Sequence, residues 1–278
     1  MGRLEGKVAF ITGAARGQGR SHALRLAEEG ADIIAVDIVE QIGSVPYDLA
    51  TEDDLAETVR QVEALDRRII ASKADVRDFD QVKAAVDAGV AELGRLDIVC
   101  ANAGILSFGT VTELSEDSWR DMLDVHVTGG WHTAKAAIPH IRAGGRGGSI
   151  VLTSSTAAIR PYENMAHYVT AKHGVVGLMK ALAIELAKDN IRVNAVHPTN
   201  VDTPMIQNQA TYGLFSPDMK PEDRTREVME PSFATINALP IGWVDPVDIS
   251  NAIMYLVSDD GRYVTGISLP VDAGFGIH

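Results

Sequence analysis

The sequence of 278 residues contains one cysteine, Cys100. No disulfide can therefore form within the chain, and cysteine cannot supply more than one ligand to a metal. This cysteine content is typical of a protein from a reducing compartment, so we expect a cytoplasmic location.

Positive charge is also scarce. There are 25 lysines and arginines against 38 acidic residues, which gives a net charge of -13 and argues against nucleic acid or an anionic membrane as a partner. No apolar run approaches the roughly 18–20 residues of a membrane helix, and no apolar segment of signal-peptide length follows Met1. A hydrophobic content of 46% is ordinary for a globular enzyme.

Short, mostly β-branched apolar runs alternate with longer stretches of helical periodicity, such as Leu55, Val59, Val62 and Leu65. The alternation predicts an α/β fold, a doubly wound (Rossmann) parallel sheet with helices on both faces. We expect residues 1–278 to form a single domain. The runs expected to form strands are Val8–Ile11, Ile33–Val36, Ile98–Cys100, Ile150–Leu152, Val193–Val196 and Ile267–Val271.

Two segments interrupt this rhythm. Residues 38–50 follow the second strand where a connection of a few residues is usual, and residues 205–240 contain five spaced prolines if Pro204 is included. Long insertions in compact α/β folds are often functional, so we predict an insertion near a cofactor at 38–50 and a substrate lid at 205–240. The alternative for both segments is a plain surface excursion.

A glycine-rich turn, Thr12 to Gly19, lies between the first predicted strand and a predicted helix. Small residues allow a pyrophosphate to approach the backbone, and the helix N-terminus attracts its negative charge. The turn therefore predicts a dinucleotide site. Its candidate binding residues are Gly13, Arg16, Gly17, Gln18 and Gly19.

Asp37 ends the second strand about twenty residues beyond the turn, where a carboxylate can accept hydrogen bonds from the adenosine ribose. A fixed carboxylate also repels a 2′-phosphate, because two unit charges about 4 Å apart cost about 4 kcal/mol at an effective dielectric near 20. NAD is therefore favoured over NADP, although Arg16 acts in the opposite direction. Other candidates at the carboxyl edge of the sheet are Asp75, Val76, Asn102, Ala103 and Gly104.

Tyr168 and Lys172 are four residues apart in a helix-favouring stretch, so both project from one face. A tyrosine with a pKa of about 10 becomes an effective base at neutral pH if a lysine ammonium and a positively charged nicotinamide lower its pKa by about 2–3 units. Such a pair occurs by chance in many helices, and alone it indicates little.

When all its motifs are considered together, the chain resembles the short-chain dehydrogenase/reductase family over nearly its whole length. The resemblance rests on the glycine turn, Asp37 and the other marks in chain order: Asn102-Ala103-Gly104, Ser154-Ser155, Tyr168 with Lys172, and His197-Pro198 with Thr203. Within the family it is similar to the actinobacterial carveol-dehydrogenase-like, mycofactocin-associated group, which shares the insertion after the second strand.

The resemblance implies residue roles. Tyr168 becomes the general base or acid, and Ser155 becomes the hydrogen-bond partner of the substrate oxygen. Lys172 holds the nicotinamide ribose and lowers the pKa of Tyr168. Thr203 and the backbone of Val201 bind the carboxamide, while Pro198 begins the loop above the nicotinamide. The resemblance also implies a homotetramer.

His126 departs from the family pattern, which usually has an asparagine in the run that here reads Asp124-Val125-His126-Val127-Thr128-Gly129. That asparagine helps to carry a proton route from the lysine. A histidine can donate, accept and titrate, so His126 is a catalytic candidate, and a packed helix histidine is an equal alternative.

We expect no metal site, because the remaining histidines form no helix-spaced ligand pair with a carboxylate. They include His132, His140, His167, His173 and His197.

The expected function is hydride transfer between NAD and a secondary alcohol or ketone. The 205–240 segment carries apolar side chains that favour an alicyclic or terpenoid, carveol-type alcohol, namely Met205, Ile206, Tyr212, Leu214, Phe215 and Phe233. An NADPH-linked ketone reductase is the alternative that Asp37 disfavours. A non-catalytic dinucleotide-sensing protein is disfavoured by the intact set of Ser155, Tyr168 and Lys172.

The apolar content of the 38–50 insertion leads to one more expectation. If the insertion folds over the cofactor, NAD stays bound and an external, mycofactocin-like electron carrier reoxidises it, as the resemblance also implies. The alternative is a solvated loop that leaves NAD free to exchange.

Overall fold

The computed structural model describes residues 2–278. Seven strands form one sheet in which every neighbouring pair is parallel, in the order β3-β2-β1-β4-β5-β6-β7. The predicted doubly wound α/β fold is therefore correct. The strands are β1 (Val8–Thr12), β2 (Asp32–Asp37), β3 (Ile69–Lys73), β4 (Ile98–Ala101), β5 (Gly148–Thr153), β6 (Ile191–Pro198) and β7 (Ser268–Val271).

The helices connect these strands and cover both faces of the sheet. They are α1 (Gly17–Glu28), α2 (Glu52–Glu63), α3 (Phe79–Leu93), α4 (Glu116–Leu123), α5 (Gly129–Gly144), α6 (Ala166–Leu186), α7 (Gln209–Phe215), α8 (Arg226–Ala234) and α9 (Pro246–Val257). A π-helical segment, Asp124–Thr128, joins α4 to α5.

Two apolar cores lie on opposite faces of the sheet because side chains alternate along each strand. Phe10 of β1 packs in one core with α3, α5 and α6, whereas the adjacent Ile11 packs in the other with α1, α2 and α9. Both side chains are fully buried. The helices on both faces leave the carboxyl edge of the strands as the place where a ligand can bind.

The strand missing from the predicted runs is β3. It begins with Ile69 and Ile70 but continues with Ala71, Ser72 and Lys73, and only Ile69 is buried. Because β3 is an edge strand, it needs fewer apolar residues than the central strands, and its sequence signal is weaker.

The topology changes direction between β1 and β4, which are neighbours in the sheet although β2 and β3 lie between them in the chain. Thr12 fixes this junction. Its hydroxyl accepts hydrogen bonds from the backbone N–H groups of Asn102 (3.0 Å) and Ala103 (3.1 Å). The glycine turn after β1 and the Asn102–Gly104 run after β4 are thereby held beside each other.

Candidate active site

The glycine turn has a backbone that side chains would not allow. Gly13 and Gly17 have φ values of 68° and 56°, in the left-handed region that favours glycine. A Cβ on Gly19 would lie 1.9 Å from the carbonyl oxygen of Gly13, so no larger residue fits there. The turn leads directly into the N-terminus of α1, whose N-cap, Arg16, makes no side-chain cap hydrogen bond.

Asp37 lies at the carboxyl end of β2 and is 8% exposed. Its carboxylate accepts hydrogen bonds from the backbone N–H groups of Ala15 (3.0 Å) and Val39 (3.2 Å). Burial raises the pKa of Asp37, and these hydrogen bonds together with the nearby Arg16 oppose that rise. The carboxylate is thus held rigidly against the glycine turn.

One pocket, here called the glycine-turn pocket, collects most of the predicted cofactor residues. Its walls come from the turn after β1 and from the ends of β2, β3 and β4, and the predicted residues among them are Gly13, Arg16, Gly17, Gln18, Gly19, Asp37, Asp75, Val76, Asn102, Ala103, Gly104 and Thr203. The Asp75 carboxylate is paired with Arg77 at 2.7 Å. The Oε1 atom of Gln18 is buried without a hydrogen-bond partner among residues 2–278.

A second pocket, here called the Tyr168 pocket, shares Gln18, Asn102, Gly104, Thr203 and Met205 with the first. The predicted residues that line only this pocket are His126, Ser155, Tyr168, Lys172, Pro198 and Val201. The two predicted groups, cofactor-binding and catalytic, therefore meet at a common boundary.

Ser155 follows β5, and Tyr168 and Lys172 occupy the first two turns of α6. The Ser155 hydroxyl accepts a hydrogen bond from Ala157 N at 3.1 Å, while the Lys172 ammonium donates to the Thr153 carbonyl at 2.9 Å. The ammonium nitrogen lies 5.4 Å from the centre of the Tyr168 ring. These contacts fix the three functional groups to β5 and to one face of α6.

Burial dominates the electrostatics of this cluster. It raises the pKa of the Tyr168 hydroxyl to about 12, against the effect of a hydrogen bond with Ser155. It also lowers the pKa of the Lys172 ammonium to about 7. The lowered pKa expected for Tyr168 is therefore not a property of the protein groups alone, because desolvation of the phenolate outweighs them.

His126 lies in the π-helical segment and is 4% exposed. Its Nε2 atom is 3.2 Å from Ile105 N and 2.9 Å from Ile105 O, so one tautomer accepts from the backbone and the other donates to it. The His126 and Tyr168 rings pack in a T-shaped arrangement, with 5.5 Å between the ring centroids. Burial, reinforced by Lys172, holds the pKa of His126 well below its usual value, so the imidazole is neutral.

Gly104 makes room for this histidine. A Cβ at Gly104 would come within 2.6 Å of the His126 Cε1 atom. His126 is thus both packed against the backbone and part of the wall of the Tyr168 pocket, which is the position needed for either alternative considered for it.

Apolar side chains form much of the remaining wall of the Tyr168 pocket, beside the polar Thr199, Asn200 and Thr211. From the predicted lid segment, Met205, Ile206, Leu214 and Phe215 line it. Tyr212 and Phe233 do not line the pocket and pack behind its wall instead. Phe233 is fully buried, and its ring stacks on that of Phe215 with 3.9 Å between the ring centroids. The segment is not one continuous excursion, because it contains α7 and α8.

Four further lining residues have no distinguishing pattern in the sequence, namely Leu106, Phe108, Tyr162 and Met165. They lie in loops without periodicity, so no pattern marks them. The signal that could have found the first two is their position directly after the Asn102–Gly104 run, at the carboxyl end of β4. His197 was likewise missed as a support: its Nδ1 atom is 2.9 Å from the Ser155 carbonyl oxygen.

Neither a metal cluster nor a membrane helix features in the part of the chain that the structure describes. Residues 2–278 contain no group of three or more His, Cys, Asp or Glu side chains that could hold a metal ion. No helix among them is long and apolar enough to cross a membrane.

The chain belongs to the short-chain dehydrogenases, whose family model matches residues 7–212, and the predicted family is confirmed. It is similar to (-)-trans-carveol dehydrogenase of Rhodococcus erythropolis, with 57% identity over 275 residues and 99% of each chain covered.

Among solved structures, it is similar to carveol dehydrogenase from Mycobacterium avium in complex with NAD. That comparison gives a TM-score of 0.98, with 54% identity and all of both chains covered. A short-chain dehydrogenase from Mycobacterium paratuberculosis bound to NAD gives a TM-score of 0.91, with 48% identity and the same coverage. The likeness extends through the 38–50 insertion and the 205–240 segment, since the aligned chains are covered in full.

The buried pair of Tyr168 and Lys172 predicts a pH dependence. If Tyr168 is the base, the alcohol proton goes to its phenolate, so kcat/KM for alcohol oxidation should rise with pH toward the Tyr168 pKa, which is about 12 in the protein alone and which a bound, positively charged nicotinamide would lower. A Tyr168 phenolate raises the pKa of the adjacent Lys172 from about 7 and keeps it charged, so Lys172→Met removes a positive charge that favours the phenolate and should move this rise up by about one pH unit or more. Lys180→Met, an exposed change on the same helix, is the control. Identical profiles for wild type and Lys172→Met would contradict this assignment.

Proposed function

We propose that this chain oxidises an apolar alicyclic secondary alcohol, such as a terpenoid of the carveol type, with NAD as the hydride acceptor. The observation that carries the proposal is the junction of two pockets. Ser155, Tyr168 and Lys172 line an apolar pocket where it joins a pocket built on a glycine turn and Asp37.

The residues of the glycine-turn pocket suit a dinucleotide. The left-handed Gly13 and Gly17 leave the backbone open beside the N-terminus of α1, which favours a pyrophosphate. The buried Asp37 suits a ribose diol and repels a 2′-phosphate, and the unpartnered Gln18 Oε1 offers an acceptor at the boundary with the Tyr168 pocket. The NAD complexes of the similar mycobacterial enzymes support the same cofactor.

When bound, NAD supplies a positively charged nicotinamide that accepts a hydride. The protein groups handle the proton. Tyr168 takes the hydroxyl proton of the alcohol, and the Ser155 hydroxyl donates a hydrogen bond to the same oxygen. The Lys172 ammonium, tied to the Thr153 carbonyl, supplies positive charge near the phenolate. The neutral His126, bonded to Ile105, lies behind Tyr168 as a candidate relay toward Lys172.

The substrate class follows from the walls of the Tyr168 pocket. Apart from Ser155, Tyr168 and their neighbours, the lining is dominated by Leu106, Phe108, Met165, Leu214 and Phe215. An apolar ring system buries its surface against such walls, with one polar group, the hydroxyl, directed at Tyr168. Similarity to a carveol dehydrogenase at 57% identity supports a cyclic terpenoid alcohol.

Tyr168→Phe tests the proposed function. Removal of only the proton-transfer group should lower kcat by about a hundredfold or more and leave NAD binding nearly unchanged. Tyr263→Phe, at a side chain that is 89% exposed, is the matched control. The readout is oxidation of a panel of cyclic and acyclic alcohols, carveol included. Retention of more than about a tenth of the wild-type kcat would show that Tyr168 is not the base.

Asp37→Ser tests the cofactor assignment. The variant should bind NADP more tightly than the wild type, because it removes the charge that repels the 2′-phosphate. Asp53→Ser removes an exposed carboxylate from the start of α2 and should leave the preference for NAD unchanged. Equal affinity of the unmodified protein for the two dinucleotides would rule out this role of Asp37.

The 38–50 insertion supports retention of NAD. Its residues Ile42 and Tyr47 line the glycine-turn pocket, and Ile42, Val45 and Tyr47 are each less than 10% exposed. The Gln41 amide group organises the segment, since its Nε2 lies within 3.2 Å of three backbone carbonyls of residues 42–47 and its Oε1 accepts from Leu49 N at 2.9 Å. Each 1.4 kcal/mol of extra stabilisation in the bound state slows dissociation about tenfold.

Protein purified without added nucleotide should therefore carry near-stoichiometric NAD. Alcohol and free NAD should give little steady turnover until an artificial electron acceptor takes the place of the external, mycofactocin-like carrier. Nucleotide released on denaturation and turnover with and without an acceptor dye are measured, and Gln41→Leu should lower the retained NAD. An empty preparation that turns over rapidly with free NAD would make the insertion a closing loop without a retaining role.

The proposal includes a cytoplasmic homotetramer. Large apolar side chains that a monomer leaves in water support assembly, among them Ile277 (91% exposed) and Ile184 (83% exposed). The single cysteine, Cys100, is buried in β4, where burial raises its thiol pKa to about 12, which suits a reducing compartment without disulfides.

A further inference from the structure

The 105–109 loop, which follows β4, forms part of the wall of the Tyr168 pocket through Leu106 and Phe108. Its successive residues are held by different parts of the chain. Ile105 is bonded to His126, and Gly109 N donates to Asn164 O at 2.9 Å. The loop thus has no continuous secondary structure of its own, and its shape depends on these anchors.

Two more anchors use buried side chains. The Ser107 hydroxyl lies 2.8 Å from His167 Nε2, next to Tyr168 in the catalytic helix. The backbone N–H of Leu106 donates to the Tyr47 hydroxyl at 3.1 Å. Tyr47 belongs to the 38–50 insertion and lines the glycine-turn pocket, so this bond runs from the wall of one pocket to the wall of the other.

Tyr47 is well placed to transmit strain in both directions. Its side chain is 9% exposed and packs in the main core, so the ring cannot move without the insertion. Its hydroxyl is the acceptor for a backbone group whose side chain, Leu106, faces the Tyr168 pocket. A shift of the insertion would therefore act on the position of Leu106 through this hydrogen bond, and a shift of Leu106 would act on the insertion.

We propose that Tyr47 is a positioning residue that couples the two pockets: through Leu106 N, closure of the insertion over the dinucleotide shapes the wall that receives the alcohol. The coupling is reciprocal by thermodynamic necessity, so an alcohol that is held by Leu106 slows release of the dinucleotide. This inference deepens the proposed function and depends on it only where nucleotide and alcohol are measured.

The chain offers a matched control. The Ser44 hydroxyl donates to Asp121 in α4 at 2.7 Å and so anchors the same insertion at a place that lines neither of the two pockets. Ser44→Ala and Tyr47→Phe each remove one hydroxyl from one insertion anchor. They differ in that only Tyr47 touches the 105–109 loop.

Hydrogen-exchange mass spectrometry of the protein as purified tests the tie without any substrate. Tyr47→Phe should speed amide exchange in peptides that cover residues 105–109 by about two- to tenfold, the loss expected for one hydrogen bond. Ser44→Ala should speed exchange in residues 38–50 alone. Ser107→Ala removes the hydrogen bond between the loop and His167. Introduced into the wild-type protein, it should speed exchange in residues 38–50, and introduced into Tyr47→Phe, it should leave exchange there unchanged.

Kinetics supply the second arm. Tyr47→Phe should raise KM for the oxidised alcohol severalfold with kcat nearly kept, and Ser44→Ala should leave KM unchanged. Exchange of bound nucleotide for radiolabelled NADH should be slower with excess carveol than without it in the wild type and Ser44→Ala. This difference should disappear in Tyr47→Phe.

The outcomes separate the two ideas. If no alcohol of the panel is oxidised, the proposed function fails, and the hydrogen-exchange arm still decides the coupling. If Tyr47→Phe leaves exchange in residues 105–109 unchanged, or if Ser107→Ala acts equally in both backgrounds, the pockets are not coupled through Tyr47 and the inference is wrong.

Discussion

The site depends on one buried lysine. Lys172 is 3% exposed, and its ammonium donates to the carbonyl oxygen of Thr153, the last residue of β5. Burial of an ammonium without hydrogen-bond partners costs free energy, so the hydrogen bond to Thr153 and the fixed position of α6 depend on each other. The same helix orients Tyr168, which lies one turn earlier. The same strand orients Ser155, which lies two residues beyond Thr153.

Electrostatic consequences follow from that burial. Burial lowers the pKa of Lys172 to about 7 and raises that of Tyr168 to about 12. Without the cofactor, the Tyr168 hydroxyl therefore keeps its proton at neutral pH. A positively charged nicotinamide bound near Tyr168 would favour the phenolate and so would link proton removal to the oxidised cofactor. Burial also keeps the imidazole of His126 neutral.

Much of this arrangement could be predicted from the sequence, because its parts are local. The glycine turn, Asp37 and the Tyr168–Lys172 pair each lie within or directly after one element, and parallel strands bring their carboxyl ends to a common edge. The central strands were predicted to within one or two residues, since their β-branched runs are buried on both faces.

The rest depends on contacts between segments far apart in the chain. The bond from Leu106 to Tyr47 spans 59 positions and forms within an insertion that hydrogen bonds of Gln41 hold together. The pairing of Ser107 with His167 spans 60. The edge strand β3 and the π-helical turn that carries His126 have no periodic signal of their own, so tertiary packing decides them.

The central claim is direct hydride transfer from a carbinol carbon at the junction of the two pockets. An alicyclic alcohol deuterated at that carbon, mixed with the purified protein, tests it by mass spectrometry and NMR of the nucleotide released on denaturation. The account predicts one deuterium at C4 of the nicotinamide of NADH, with none lost to water. Ketone formed together with unlabelled nucleotide, or deuterium found in the solvent, would contradict it.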